Sequence, residues 1–489
     1  MIASFEHLLW SLLSYLKTLL FTLFTGVTLH SSHPVKSVVN EKSEDEPAFS
    51  PNYIVSRIAA LKDSHEAFSL LHKMITIDGA GSWPPRCSSN LSAWPAALRP
   101  YHEIYLEMAP YLSVAEPSLD DTENANRRTR FRTRMQKLLD SRVDLPAVEA
   151  LLSRAEAGDA DVIPADVFNR FFSCIAMLRH AYRWSTIPAV KLAQLEKHIP
   201  YPHALMLPWP FLNRRYAFTS PAGNIMTNFV MNWDWDSAPS ASLPAAGPTY
   251  RINVGRANPS IARAEYWFAY MLVETERLAL PVYLDIALAL LHRARGDRGE
   301  LLAALRRIRD NTRAIAKVFY DNMTSDKVEP RVWMSWVQGF HAYGATEDAV
   351  TEEGAREYDG VSANQLPFFQ VVDAFLGLRR TYLDGQERRS NILGAQREMG
   401  DGVARLCFRD EVRSGDEEVE GLMREIARVV RVWRAAHKVR IVPYFEQPAP
   451  ERLIMTAGKS VLETKGLSSV QLAMDFMNKL LGDRMQETT

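Results

Sequence analysis

Long amphipathic runs dominate the second half of the chain, and they constrain its fold more than any other feature. Apolar residues recur every three or four positions, as in Leu301, Leu305, Ile308, Ile315 and Phe319, which is the period of one helix face. No window shows sustained strand alternation, and no fixed repeat is visible. The sequence therefore predicts an all-α protein.

The pattern also predicts how the chain is divided. Helical segments are expected at about 53–76, 98–114, 124–140, 146–157, 164–185, 260–294, 299–323, 328–342, 364–382, 389–409, 417–441 and 467–483. Prolines interrupt the pattern between about 200 and 260, where we expect an ordered connector without long helices. The predicted parts are a hydrophobic segment 1–30, a linker 31–52, a small helical lobe 53–200, the connector 201–260 and a large helical lobe 261–489.

Bulk composition excludes several classes. The 489 residues are 47% hydrophobic and carry a net charge of −1, which suits a large core and gives no sign of a nucleic-acid partner. Three cysteines, Cys87, Cys174 and Cys407, are too few for a disulfide framework or a zinc site, and they indicate a reduced intracellular environment. No hydrolase, zinc or nucleotide-binding motif is present.

The amino terminus is predicted to meet a membrane. Residues 8–29 hold one charge, Lys17, and are long enough to span a bilayer as a helix. Hydroxyl residues recur on one face of that helix, so an interfacial helix, a cleaved signal peptide and a buried soluble helix stay open as alternatives. We favour a single membrane anchor with the bulk of the chain in the cytosol.

The sharpest motif runs from Gly360 to Gln365, with Ser362 and Ala363 at its centre. By itself it predicts a turn, a capping serine and then an apolar helix. Further motifs accompany it in a fixed order: Leu207-Pro208, Pro221-Ala222, Asn232-Trp233, Tyr266 to Glu274, Val328-Glu329-Pro330 with Trp333, and His437 with Tyr444. Together they resemble the indoleamine 2,3-dioxygenase family over roughly the last two-thirds of the chain.

That resemblance implies a two-lobe helical fold and a haem enzyme that opens the indole ring of tryptophan. Members hold the iron through one histidine, because ferrous haem needs an axial donor and an open face for dioxygen. The matching position here is Val403, which has no lone pair. Cys407 lies one helical turn later and is the candidate replacement ligand, although a small buried residue is the alternative reading.

The resemblance also gives the expected substrate pocket. The aligned wall residues are Tyr266, Tyr270 and Trp333, and Gln338 stands where the family has an arginine for the substrate carboxylate. A glutamine cannot form that bidentate ion pair. His341, three residues after Gln338, is expected to face the pocket or else to be a core histidine.

Three functions remain in competition. The first is a repurposed enzyme of specialised metabolism that binds or transforms an aromatic or hydrophobic small molecule, beside a membrane-bound oxygenase if the anchor is real. The second is a haem oxygenase acting on an indole-type substrate with an atypical ligand. The third is a non-catalytic scaffold or accessory protein at a membrane.

Overall fold

The computed structural model describes residues 51–112, 118–196, 198–235, 246–345, 358–378, 391–413 and 415–453, with a few isolated positions beyond. The predicted anchor 8–29 and linker 31–50 lie outside the described residues, as does nearly all of the predicted helix 467–483. The described chain is mostly helical, so the all-α prediction is confirmed.

Helices follow one another along almost the whole described chain. They are α1 Pro51–Leu61, α2 Glu66–Ile77, α3 Arg99–Leu112, α4 Asp121–Arg142, α5 Leu145–Glu156, α6 Ala165–Trp184, α7 Lys191–Gln194, α8 His203–Met206, α9 Pro208–Tyr216, α10 Pro259–Arg295, α11 Arg298–Asn322, α12 Pro330–Trp333, α13 Gly339–His341, α14 Pro367–Phe375, α15 Gly394–Leu406, α16 Arg409–Val412 and α17 Glu417–Phe445. Two π-helical turns are π1 Met226–Val230 and π2 Met334–Gln338. Three 3₁₀ turns are Leu91–Ala93, Ala96–Leu98 and Ala363–Gln365.

The strands form three short antiparallel pairs. They are β1 Trp233–Asp234 with β2 Gly247–Pro248, β3 Ala342–Ala345 with β4 Tyr358–Gly360, and β5 Met455–Thr456 with β6 Lys459–Ser460. In the second pair, Ala342 is opposite Gly360 and Ala345 is opposite Tyr358. These pairs are local, and in the described residues they do not join into a larger sheet.

Two parts of the described fold differ from the sequence prediction. The segment 53–76 is two helices, because the Ser64 hydroxyl donates to the Leu61 carbonyl and His65 then caps α2 by accepting from the Ala67 N–H at 3.2 Å. The connector is also more helical than expected, since it contains α8, α9 and π1. Pro208 opens α9, and a proline is tolerated there because the first N–H groups of a helix have no intrahelical acceptor.

Two long antiparallel helices, α10 and α11, form the centre of the second half, and α17 packs along α11. The buried apolar residues make one continuous cluster that runs from Ile54 to Phe445. Most of α10 is buried, and Glu276 inside it is fully buried. No helix in the described part of the chain is both long and apolar enough to cross a membrane.

Candidate functional site

The segment from Pro330 to His341 changes helical type twice, from α12 through π2 to α13. The Gly339 N–H donates to the Met334 carbonyl five residues back, which is the bond that defines a π turn. The wider turn brings residues five apart nearly into line. Trp333, Gln338 and His341 therefore follow one side of the segment, at spacings of five and three.

The whole segment is buried, since Ser335 and Trp336 on its other sides are only 7% and 8% exposed. Trp333 and Gln338 are each 6% exposed and His341 is 5% exposed, whereas Val337 is 0% and Phe340 is 1% exposed. A complete absence of exposure is what close packing produces in a core. The aligned side chains therefore lie inside the protein, beside fully packed core residues.

Each of the three residues has a buried polar atom without a hydrogen-bond partner among the described residues. They are Nε1 of Trp333, Oε1 of Gln338 and Nδ1 of His341. Buried polar atoms in folded proteins are nearly always paired, because leaving one unpaired costs about 1–3 kcal/mol. Three such atoms along one face of a twelve-residue segment point to a place where a polar ligand would be stabilised.

Aromatic side chains contact two of these three residues, His341 and Trp333. Phe229 of π1 lies 4.2 Å from the His341 ring, measured between ring centroids, and Phe268 of α10 lies 5.7 Å from Phe229. Trp333 lies 5.9 Å from Phe268 in an edge-on arrangement. Phe229 of π1 and two residues that flank π2 thus belong, with Phe268, to one cluster, defined here as the aromatic site: Phe229, Phe268, Trp333 and His341. Such turns occur frequently at functional sites.

The loop of the predicted motif lies directly beside this site. The Val361 N–H donates to the His341 carbonyl at 3.0 Å. Gln365 then fixes the loop, accepting from the Ile225 N–H at 3.1 Å and donating to the Gly360 carbonyl at 2.9 Å. Ser362 caps the 3₁₀ turn that contains Ala363, accepting from the Asn364 N–H at 3.4 Å. The structure therefore brings Ser362 and Ala363 next to His341.

Tyr266 and Tyr270 do not join the aromatic site. Their rings lie 6.2 Å apart and nearly parallel on another side of α10, and Trp233 lies 5.3 Å from Tyr266. Residues two apart on a helix point in nearly opposite directions, so Phe268 faces the aromatic site from this helix and Tyr266 does not.

Sequence reasoning missed three contributors: His180, Phe229 and Phe268. The ring nitrogens of His180 on α6 lie 2.8 Å from the Phe340 carbonyl and 2.6 Å from the Ala222 carbonyl. Burial lowers the pKa of His180 to about 4, so its ring is neutral at pH 7. A neutral ring has one N–H group, so His180 donates to one of these two carbonyls. Its only sequence signal is a polar residue on an otherwise buried helix.

The residues at the expected iron-binding position do not suit a haem iron. Val403 on α15 is fully buried and apolar. The Cys407 thiol donates to the Phe375 carbonyl at 3.3 Å, and burial raises its pKa, which disfavours the thiolate that binds iron. The described residues contain no group of three or more His, Cys, Asp or Glu arranged to hold a metal ion.

His437 and Tyr444 have structural contacts. The His437 ring stacks on Trp433 with centroids 5.4 Å apart, and burial lowers its pKa to about 4. The Tyr444 hydroxyl donates to the Val328 carbonyl at 2.8 Å, which fixes α17 against the start of the site segment.

The fold and the site define a helical protein with an interior aromatic site lined by uncharged polar groups. No protein-family model matches the chain, and no curated protein matches it either.

Proposed function

We propose that this chain is a divergent indoleamine 2,3-dioxygenase-like protein whose interior site has been repurposed for another aromatic or hydrophobic small molecule. We do not propose that it cleaves the indole ring of tryptophan. The observation that carries it is the row of three unpaired polar atoms on Trp333, Gln338 and His341. A ligand that pairs with them would remove an energetic cost of the free protein.

An aromatic ligand agrees with the chemistry of the walls. Phe229, Phe268 and Trp333 offer ring faces and edges to a planar molecule, and aromatic pairs stabilise by about 0.5–1.5 kcal/mol beyond the burial of area. Ligand sites in proteins are commonly apolar with a few placed polar groups. The motif loop is held beside His341 by the bond from the Val361 N–H to the His341 carbonyl.

The first experiment measures binding of naphthalene, an aromatic molecule without polar groups, by calorimetry. We expect Phe229→Leu to weaken its binding about fivefold, because the change keeps an apolar side chain and removes a ring. Phe319→Leu is the matched control, since Phe319 contacts Trp433 and His437 on α17. Equal affinity of wild type and Phe229→Leu would place the ligand elsewhere.

A second experiment tests the part of the proposal that excludes haem. The protein is produced with added haem precursor, and its absorption spectrum is recorded. We expect no Soret band, since neither Val403 nor the hydrogen-bonded Cys407 suits an axial ligand. A stoichiometric band would contradict this, and Cys407→Ala and His341→Ala would then identify the ligand.

A further inference from the structure

We infer that the ligand of the aromatic site is an uncharged molecule that carries both a hydrogen-bond acceptor and a hydrogen-bond donor. The inference rests on the proposed function and deepens it, because it specifies the polar pattern of the ligand. It follows from the kinds of atoms that the site leaves unpaired, and from the charge of the groups that carry them.

The unpaired atoms are of opposite types. The indole Nε1 of Trp333 is an N–H group that can only donate, and the amide Oε1 of Gln338 can only accept. A ligand that satisfies both must therefore present an acceptor to Trp333 and a donor to Gln338. A purely apolar ligand would leave both atoms unpaired and would keep their desolvation cost in the complex.

The groups that carry the unpaired atoms are neutral, and the buried Arg452 beside the segment donates to the Met334 carbonyl and has Glu451 as its charge partner. Trp333, Gln338 and Ser362 have no ionisable group in the physiological range. Burial, with a further contribution from His180, holds the pKa of His341 well below its ordinary value, so this ring is uncharged at pH 7. A charged ligand would lose its hydration and gain no opposite charge from these groups, which is costly.

Phe229 and Phe268 restrict the shape of the ligand. Phe229 lies in contact with the His341 ring, 4.2 Å between centroids, so a ligand that reaches His341 also meets the Phe229 ring. The matching class is a flat aromatic molecule with a neutral amide, of which an aromatic lactam is the simplest case. Amino acids and aromatic carboxylates are outside this class because they are ionised at pH 7.

Three bicyclic probes of similar size separate the possibilities: naphthalene, 2-quinolone and quinoline-2-carboxylate. The full chain is titrated with each at pH 7.5. We expect 2-quinolone to bind at least fivefold more tightly than naphthalene, since it has both an N–H and a C=O group. Quinoline-2-carboxylate is expected to bind at least tenfold more weakly than 2-quinolone.

The variant Gln338→Leu tests the mechanism of that preference. Its affinity for naphthalene should stay within twofold of wild type or improve, while the advantage of 2-quinolone should shrink by at least threefold. Gln136→Leu on α4 is the matched control, because Gln136 is exposed, and it should change neither value. Circular dichroism establishes that each variant keeps the helical fold.

The outcomes are distinguishable. If naphthalene binds at the Phe229 site but the carboxylate binds as well as 2-quinolone, the inference fails and the proposed function survives. An unchanged preference in Gln338→Leu would also overturn the inference. If none of the three probes binds, both the inference and the proposed function fail.

Discussion

Asp78 is a fully buried carboxyl group where α2 meets α15. Its N–H donates to the Met74 carbonyl and closes α2, and its side chain faces the backbone and side chain of Gln396. Within the described part of the chain, neither carboxylate oxygen has a hydrogen bond of standard geometry, and both polar atoms of the Gln396 amide are unpaired as well. Burial raises the pKa of Asp78 to about 7, so its ionised form is unfavourable in the folded chain.

This residue predicts a specific dependence of stability on pH. The pKa of Asp78 is about 7 when folded and roughly 3.9 when unfolded, so the folded state binds the extra proton between these values. The stabilising contribution of the protonated form is lost as the pH rises from about 4 to 7. We expect Asp78→Asn to raise the free energy of unfolding by on the order of 2 kcal/mol at pH 8, with little difference at pH 4.

Urea denaturation at several pH values measures this effect. Asp63→Asn is the control, because Asp63 is an exposed carboxyl in the turn before α2. Other buried acids, such as Glu276 with its pKa of about 7, act equally in wild type and variant and cancel from the difference. Parallel stability curves for wild type and Asp78→Asn would show that the carboxyl is solvated.

At the scale of elements, the short β3–β4 pair adjoins the aromatic site, because β3 begins directly after His341. Gly360 ends β4 with a φ of 137°, a conformation that side chains rarely adopt. A Cβ atom there would lie 2.6 Å from the His341 carbonyl oxygen and 2.7 Å from the Ala342 Cα. These neighbours are backbone atoms and cannot rotate away, so only glycine allows the loop to approach His341.

Gly360→Ala is therefore expected to lower the free energy of unfolding by about 2 kcal/mol or more. Because the same loop is bonded to the His341 carbonyl, ligand affinity should fall as well. Gly421→Ala is the control in α17, where a Cβ would meet nothing within 4 Å, and it should be neutral or stabilising by up to about 1 kcal/mol. Similar thermal unfolding of the two variants would contradict the close approach.

The elements also show what sequence could and could not predict. The long helices α10, α11 and α17 were predicted within a few residues, because their apolar period extends over many turns. The π turns gave no such signal, because one inserted residue changes the direction in which side chains point but leaves the composition of the segment unchanged. The resemblance assigned Trp333 and Gln338 to one pocket, but the π turn that aligns them became visible only in three dimensions. Phe268 was missed because Tyr266 and Tyr270, on another side of α10, were predicted to form the wall.

At the scale of the whole molecule, two kinds of ion pair join α17 to the rest. Exposed pairs connect it to α11, as in Glu418, which contacts both Arg298 and Arg306. A buried pair connects it to α14, where Arg434 donates to both carboxylate oxygens of Asp373 at 2.8 and 2.6 Å. The second pair holds α17 against the helix that follows the motif loop, and it is shielded from solvent.

The two kinds of pair should respond very differently to truncation. Asp373→Ala leaves the Arg434 guanidinium buried without its carboxylate, so we expect a loss of about 3–5 kcal/mol in the free energy of unfolding. Glu418→Ala should cost less than about 1 kcal/mol, because its arginines stay hydrated. Salt separates them further: 1 M NaCl should erase most of the Glu418→Ala effect and leave the Asp373→Ala effect nearly unchanged, since buried charges are screened little. Chemical denaturation at low and high salt tests both, and equal salt sensitivity would mean that the Arg434–Asp373 pair is open to solvent and does not fix α17 in the fold.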